Sequence, residues 1–172
     1  MGKITFILGG ARSGKSNYAL KIAKENGKKV AFIATCKPQD LEMKQRIRQH
    51  KKIRPAHWQT YENYKDILRL LEKIGAKFDT ILIDCLTLLV SDLMLNGFKE
   101  SAIKNEINKL LKMLGQINAQ SIIVSNEVGL GIIPENKLAR EFRDIAGRMN
   151  QIVADKADNL YFLVSGIALK IK

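Results

Sequence analysis

The chain has 172 residues, 46% of them hydrophobic, and its 29 basic and 17 acidic residues give a formal net charge of +12. This length suits one domain with a sizeable core, and the hydrophobic fraction excludes a disordered chain. No apolar run is long enough to span a bilayer, we see no signal peptide, and two cysteines, Cys36 and Cys85, are too few for a disulfide framework or a zinc site. We therefore expect a cytoplasmic protein. The positive charge fits either a solvated lysine-rich surface or attraction to nucleotides or nucleic acid, and charge alone does not choose between them.

The first apolar run, residues 4–8, predicts a strand and leads into a glycine-rich segment that opens a helical run over residues 16–26. The segment consists of Gly9, Gly10, Ala11, Arg12, Ser13, Gly14, Lys15 and Ser16. Strand, GxxxxGK[ST] and helix in this order define a phosphate-binding P-loop, whose glycines let backbone N–H groups converge on phosphate oxygens. Lys15 would reach the β- and γ-phosphates and the Ser16 hydroxyl would bind Mg²⁺. The flanking strand and helix argue against a chance Gly/Ser turn, so we predict nucleoside triphosphate binding.

A second apolar run, residues 30–34, predicts another buried strand. Thr35 and Cys36 follow at its carboxyl end, which is where open α/β sheets bind ligands. Asp40 can then cap a helix over residues 41–51.

His50 lies near the end of that predicted helix, on the face that its apolar residues share, within a basic stretch from Lys44 to Arg54. A neutral imidazole can attack phosphorus and form a covalent phosphoramidate. The flanking cations would stabilise a transferring phosphate and disfavour protonation of the ring. The alternative is a histidine packed at the helix end for structural reasons, and the residues alone leave both interpretations open. His57, beside Trp58, is a weaker candidate.

Asp84 closes the third predicted strand, residues 80–83. An apolar run closed by an acid, downstream of a P-loop, is the Walker B pattern, in which the carboxylate helps to hold Mg²⁺. Aspartate often ends a strand for other reasons, so the pattern indicates a Mg²⁺ or nucleotide site only because a P-loop precedes it. Together, Ser16 and Asp84 predict a Mg²⁺ site beside the nucleotide.

The remaining elements continue the alternation of strands and helices. We predict helices over residues 62–74, 86–95 (almost wholly apolar and hence buried), 103–114 (stopped by Gly115) and 136–156, and strands over residues 121–124, 160–164 and 167–171. Such alternation means a mostly parallel sheet covered on both faces. The predicted fold is a single three-layer α/β P-loop domain spanning residues 1–172, with an antiparallel edge strand at the C-terminus.

Several segments resemble one family of enzymes. Beyond the P-loop these are IAT over residues 33–35, RIRQHK over residues 46–51, RPAHW over residues 54–58, SNEVGLGIIPEN over residues 125–136, FRDIAGRMNQ over residues 142–151 and the tail over residues 164–172. They resemble the bifunctional adenosylcobinamide kinase / adenosylcobinamide-phosphate guanylyltransferase family of cobalamin biosynthesis. The resemblance covers nearly the whole chain and is weakest over residues 98–115.

The resemblance implies a two-step transferase. The γ-phosphate of ATP or GTP would first move to the aminopropanol hydroxyl of adenosylcobinamide. His50 would then attack the α-phosphate of GTP and release pyrophosphate, and the guanylyl group would pass to adenosylcobinamide phosphate, giving adenosylcobinamide-GDP. The resemblance thus favours the nucleophilic interpretation of His50 over the structural one.

The resemblance also implies the site residues and the assembly. Guanine nucleotide contacts carry over to residues 9–16 and to Ala34, Thr35, Cys36, Lys51, Lys52, Ile53, Arg54, Glu62 and Asp84. Some family members have Glu where this chain has Asp84, so the acid is kept with a shorter reach. The family is homotrimeric. For corrinoid binding or a subunit interface the candidates are Asn126, Glu127, Arg143, Asp144, Asn150 and Gln151, and a structural hydrogen-bonding role is equally open for each.

Two rival functions remain. A P-loop kinase of another small molecule would use triphosphate without forming a protein-bound nucleotide, and His50 would be structural. A nucleic-acid-binding P-loop protein would explain the net charge, but the chain has no recognition helix or basic stripe interleaved with aromatic residues, so we expect no nucleic-acid partner.

Overall fold

One mixed sheet runs through the protein. The structure, a computed structural model, describes residues 2–36, 41–62, 64 and 66–172, and among these it leaves out the side chains of residues 42–44, 46, 49 and 50. Within these residues seven strands form the sheet: β1 (Ile4–Gly9), β2 (Val30–Ala34), β3 (Gln59–Tyr61), β4 (Thr80–Asp84), β5 (Gln120–Asn126), β6 (Asn159–Val164) and β7 (Ile167–Lys170). Their order is β3-β2-β4-β5-β1-β6-β7. Every pairing is parallel except that of β6 with β7, which confirms the predicted fold class and its antiparallel C-terminal edge.

Helices cover both faces of the sheet. They are α1 (Lys15–Asn26), α2 (Leu41–Lys52), α3 (Ile67–Ile74), α4 (Leu86–Leu95), α5 (Glu100–Gln116) and α6 (Lys137–Lys156), with a short 3₁₀ turn at Gly75–Lys77. One face packs against α3, α4, α5 and α6 through a large apolar cluster. The other packs against α1 and Trp58 through a smaller one. Burial on both faces explains why β1 and β2 are continuous apolar runs.

The segment before α3 differs from the sequence prediction. A helix was expected from Glu62, but α3 begins only at Ile67, where the Asp66 carboxylate accepts hydrogen bonds from the N–H groups of Leu68 at 2.8 Å and Arg69 at 3.3 Å. The preceding Gln59–Tyr61 segment is strand β3, which the prediction missed. Its three residues carry no apolar pattern, so pairing with β2 makes it a strand.

Two helices differ from the prediction in smaller ways. The glycine expected to stop α5, Gly115, lies inside it, because α5 continues to Gln116. In α4 the first half is buried, as at Leu86 and Val90, but Leu95 at its end is 60% exposed. The apolar composition predicts burial for the whole of α4, whereas only its first half is buried.

The carboxyl ends of the parallel strands lie along one edge of the sheet. That edge carries the P-loop after β1, Thr35 after β2, Asp84 at the end of β4 and Asn126 at the end of β5. In open parallel sheets this edge is where ligands bind. The predicted cap Asp40 lies outside the described residues. None of the described helices is both long and apolar enough to cross a membrane.

Candidate active site

The P-loop is closed by backbone contacts and by residues in left-handed conformations. Arg12 has φ of 57° and Gly14 has φ of 93°. The Ser13 N–H donates to the Gly10 carbonyl at 3.3 Å, and the Tyr18 N–H donates to the Gly14 carbonyl at 3.0 Å as α1 begins. The turn therefore places the N-terminus of α1, which carries a partial positive charge, at the edge of the sheet where ligands bind.

Lys15 lies within the curve of this loop. Its side chain is buried, and the Nζ ammonium donates to the Gly10 carbonyl at 2.7 Å. Burial lowers the pKa of Lys15 from its ordinary value, while the negative charges that Cys85 and Asp84 can carry oppose that shift. A cation held in a partly dehydrated loop gains from the arrival of a multiply charged anion, because the anion replaces the hydration that burial removed.

Thr35 fixes the peptide groups that follow Asp84. Its hydroxyl donates to the Cys85 carbonyl at 2.7 Å and accepts from the Cys85 N–H at the same distance, and the Thr35 N–H donates to the Asp84 carbonyl at 3.1 Å. Asp84 is half-buried, and the peptide bond that joins it to Cys85 is cis. The end of β2 thus holds the backbone at the end of β4, from which the Asp84 side chain extends.

Cys85 is not a candidate nucleophile. Burial first, and the neighbouring Asp84 second, raise the pKa of its thiol to about 12. Because the thiolate is the reactive form, a thiol with such a pKa is inert at neutral pH.

A charge cluster formed by Lys51, Arg54 and Glu62 lies beyond the end of β2. Glu62 pairs with Lys51 at 2.7 Å and with Arg54 at 3.6 Å. The Arg54 side chain is only 8% exposed, and its guanidinium stacks over the Phe32 ring, 3.7 Å from the ring centroid. Burial lowers the pKa of Arg54, and Glu62 and Asp84 oppose this. Asp84 therefore acts electrostatically on both Lys15 and Arg54, and it lies between the P-loop and the charge cluster.

Comparisons with known proteins decide the family. The model of the family described as cobinamide kinase / cobinamide phosphate guanyltransferase matches residues 5–171. The chain belongs to this family. The family predicted from the sequence is confirmed, and with it the class of enzyme.

Three named relatives align with this chain over nearly their whole length. The bifunctional adenosylcobalamin biosynthesis protein CobU of Salmonella typhimurium is 43% identical, over 96% of this chain and 98% of that protein. The protein of the same name from Escherichia coli is 39% identical over the same shares, and CobP of Pseudomonas aeruginosa is 39% identical over 96% of this chain and 95% of its own. A solved structure of the RadB recombinase shares the fold alone: its TM-score is 0.54 at 15% identity, covering 94% of this chain and 74% of that one.

The fold brings together only some of the residues that we predict to contact nucleotide. Lys15, Thr35 and Asp84 meet at the sheet edge, and Ala34 is buried at the end of β2. Other predicted contacts lie on the surface: Ala11, Arg12, Lys52 and Ile53 are exposed, whereas Ser16 and Cys36 are half-buried. Because α2 carries His50 next to Lys51, the backbone places it beside the charge cluster. The His50 side chain lies outside the described residues, so its predicted proximity to triphosphate stays a prediction.

The donors present fit Mg²⁺, which the family's chemistry and the P-loop imply. Ser16 and Asp84 supply hard oxygen atoms, and Asp84 lies close enough to Lys15 to affect its pKa. Among the described residues no group of three or more His, Cys, Asp or Glu could form an all-protein metal site. Mg²⁺ bound with a nucleotide needs no such group, because phosphates and water complete its coordination.

The polar network that holds the end of β5 accounts for two of the candidate substrate or interface residues. Asn150 on α6 accepts from the Ser125 hydroxyl at 2.7 Å and donates to the Asn126 carbonyl at 3.2 Å, and the Asn126 N–H donates to the Thr87 hydroxyl at 2.7 Å. Thr87, Ser125 and Asn150 are all buried. Asn150 and Asn126 are thus engaged in holding the strand end.

The other candidates make mostly local contacts. Glu127 accepts from the Gly129 N–H at 2.7 Å while its own N–H donates to the Gly9 carbonyl at 2.9 Å. Arg143 donates to the adjacent Asp144. Gln151 is exposed. Their predicted roles in binding corrinoid or a neighbouring subunit stay predictions.

Sequence reasoning missed two structural supports of the site. In the sequence Phe32 resembles any core residue of a strand. Only the structure shows that its ring supports the Arg54 guanidinium. The turn between β6 and β7 donates from the Gly166 N–H to the Ser13 carbonyl at 2.9 Å. The glycine at position 166 was the one available signal, since turns with positive φ favour glycine.

Proposed function

We propose that this chain carries both family activities in one domain over residues 1–172: phosphorylation of adenosylcobinamide by ATP or GTP, then transfer of GMP from GTP to adenosylcobinamide phosphate. The observation that carries the proposal is the convergence of Lys15 and Asp84 at one sheet edge, in a chain that matches the family from residue 5 to residue 171. The single sheet that runs from residue 4 to residue 170 supports one domain.

In the first step the aminopropanol hydroxyl attacks the γ-phosphorus. A new phosphorus–oxygen bond forms, the bond to the β–γ bridging oxygen breaks, and the nucleoside diphosphate leaves as the hydroxyl loses its proton. The P-loop N–H groups and Lys15 would hold the triphosphate and neutralise charge on its oxygens. Ser16 and Asp84 would hold Mg²⁺, which would supply further neutralisation of phosphate charge.

In the second step the His50 imidazole attacks the α-phosphorus of GTP. A phosphorus–nitrogen bond forms and pyrophosphate leaves. A phosphate oxygen of the phosphorylated corrinoid then attacks the same phosphorus and the phosphorus–nitrogen bond breaks, so that the histidine is regenerated. The position of His50 on α2, one residue before Lys51, supports a role for the nearby cations in stabilising the transferring group.

Labelling with GTP tests the second step. Protein incubated with α-labelled GTP and Mg²⁺ should retain label after denaturation, lose it in acid, and fail to take it up in His50→Ala. His57→Ala is the matched control because His57 is exposed and lies in the same segment of chain. It should label like the wild type.

The outcome also separates the rival function. A kinase of another small molecule would turn over triphosphate and show no bound label in any variant. Adenosylcobinamide kinase activity that persists in His50→Ala would place the two steps on different residues, as the proposal requires.

We further propose a cytoplasmic homotrimer whose substrates are nucleotide and corrinoid, with no nucleic-acid partner. Large apolar side chains that are exposed in the single chain, such as Ile132 at 95% and Ile171 at 63%, support burial by neighbouring subunits. Light scattering should give three times the mass of the chain, and a monomer would refute the assembly.

Cell fractionation tests the compartment, and binding to short RNA or DNA, with its salt dependence, tests the absence of a nucleic-acid partner.

A further inference from the structure

The turn between β6 and β7 lies against the P-loop, although it comes from the other end of the chain. Its two central residues are both left-handed, Ser165 with φ of 50° and Gly166 with φ of 86°. The Gly166 N–H donates to the Ser13 carbonyl at 2.9 Å. This bond ties the C-terminal hairpin to the middle of the phosphate-binding loop.

Two motif glycines make this approach possible. A Cβ on Gly14 would lie 3.1 Å from the Gly166 Cα, and a Cβ on Gly9 would lie 2.6 Å from the Leu163 carbonyl oxygen. A side chain at either position would push β6 or its turn away from the loop. These glycines are therefore required by the packing of the hairpin as well as by the curvature of the P-loop.

The contact fixes the orientation of one peptide group. In a trans peptide the C=O and the N–H point in opposite directions. With the Ser13 carbonyl held toward Gly166, the Gly14 N–H of the same peptide points away from the hairpin. A rotated peptide would instead turn a carbonyl oxygen toward the loop interior, where it would repel phosphate.

We propose that the β6–β7 turn is a positioning element for the reaction: the Gly166 N–H holds the Ser13–Gly14 peptide so that the Gly14 N–H faces the bound phosphates. The proposal rests on triphosphate binding by the P-loop. Gly166 itself touches no substrate in this scheme, and it acts through Ser13.

The sharpest test removes only the Gly166 N–H. Replacing Gly166 by glycolic acid through nonsense suppression changes the amide to an ester and leaves the side chain unaltered. Gly97 offers a matched control: it has φ of 82°, and its N–H donates to the Met94 carbonyl at 2.9 Å in the turn after α4. Both esters lose one similar hydrogen bond at a left-handed glycine.

Equilibrium binding of GTP with Mg²⁺ and thermal unfolding should be measured for both esters. We expect the Gly166 ester to bind GTP about tenfold more weakly, since it loses the orientation of a donor to a charged group. The Gly97 ester should bind like the wild type, with a similar fall in Tm. A purely structural role for Gly166 would lower Tm equally and leave GTP affinity unchanged, which would overturn the proposal.

If the Gly166 ester does not fold, the pair Gly166→Ala and Gly97→Ala replaces it. A Cβ at either glycine meets nothing within 4 Å, so both alanines bring the same backbone strain and no clash. Both alanines keep the N–H, so the strain at positive φ acts on the bond to Ser13 only by moving the turn, and hydrogen exchange of the residue-166 N–H reports whether that bond is lost. Loss of protection together with weaker GTP binding in Gly166→Ala alone supports the proposal, and loss of protection with wild-type GTP binding overturns it. A wild-type protein that fails to bind GTP would overturn the proposed function itself and this inference with it.

Discussion

The P-loop and the charge cluster of Lys51, Arg54 and Glu62 offer phosphate two different environments. The P-loop is shaped by backbone groups and by glycines that permit close approach, and it holds one buried cation, Lys15. The charge cluster is shaped by side chains, and Glu62 already lies within 4 Å of both cations. The first environment presents one buried cation to an anion, whereas in the second a single carboxylate is shared by two cations, which leaves a net charge of +1.

This difference has a physical consequence for how each region tolerates change. Substitutions other than proline leave the backbone donors of the P-loop in place, so its function should fail chiefly at Lys15 or where its packing is disturbed. The charge cluster holds a buried guanidinium against an aromatic ring, so its stability should depend on the balance of charges. Each region therefore predicts a different kind of mutant phenotype.

The largest expected effect is that of Lys15→Ala. Loss of this cation should lower kcat/KM for the kinase and for GMP transfer by about a thousandfold, because Lys15 is buried within the loop, whereas Arg12, the other cation of the loop, is exposed. Lys21→Ala, an exposed change on the same helix, is the control and should have near wild-type kinetics. Full kinase activity in Lys15→Ala would refute the P-loop assignment.

Glu62→Gln should show that the charge cluster depends on balance. Arg54, with 8% of its side chain exposed, would keep its charge and lose its acidic partner, so the free energy of unfolding should fall by about 2 kcal/mol. Glu106→Gln breaks the Lys109 pair on the surface of α5 and should cost under about 0.5 kcal/mol. Urea denaturation compares the two. Equal losses would mean that Glu62 does not compensate Arg54.

Thr35→Val should disturb the P-loop side through the position of Asp84. The change keeps the shape but removes both hydrogen bonds to Cys85, and we expect about a tenfold fall in kcat together with a higher Mg²⁺ requirement. Thr35→Ser keeps the hydroxyl and should restore most of the activity. If Thr35→Val and Thr35→Ser behave alike, the hydroxyl does not position Asp84.

The smallest effect concerns pH. Because burial lowers the pKa of Lys15 below 10.5, the unfolded chain holds more protons at this position than the folded protein does between the two pKa values. In the nucleotide-free protein this contribution to the free energy of unfolding therefore rises with pH in that window. The stability of the wild type relative to Lys15→Met should rise as pH approaches 10.5, as measured by urea denaturation. A difference that stays constant with pH would contradict the lowered pKa.

The sequence alone determined the alternation of strands and helices, the P-loop and the acid at the end of β4. These features are local: apolar runs, glycine spacing and the order of neighbouring residues carry them, so they can be read without knowing which distant segments meet. The family could be predicted for a similar reason, since short segments spread along the chain retain its pattern.

Only the tertiary structure decided how the site is supported. Strand β3 exists because β2 pairs with it, and Arg54 is held by Phe32 and Glu62. The Gly166 contact with Ser13 joins opposite ends of the chain. Such contacts arise from the order in which strands assemble, and no local pattern of residues encodes which of them meet.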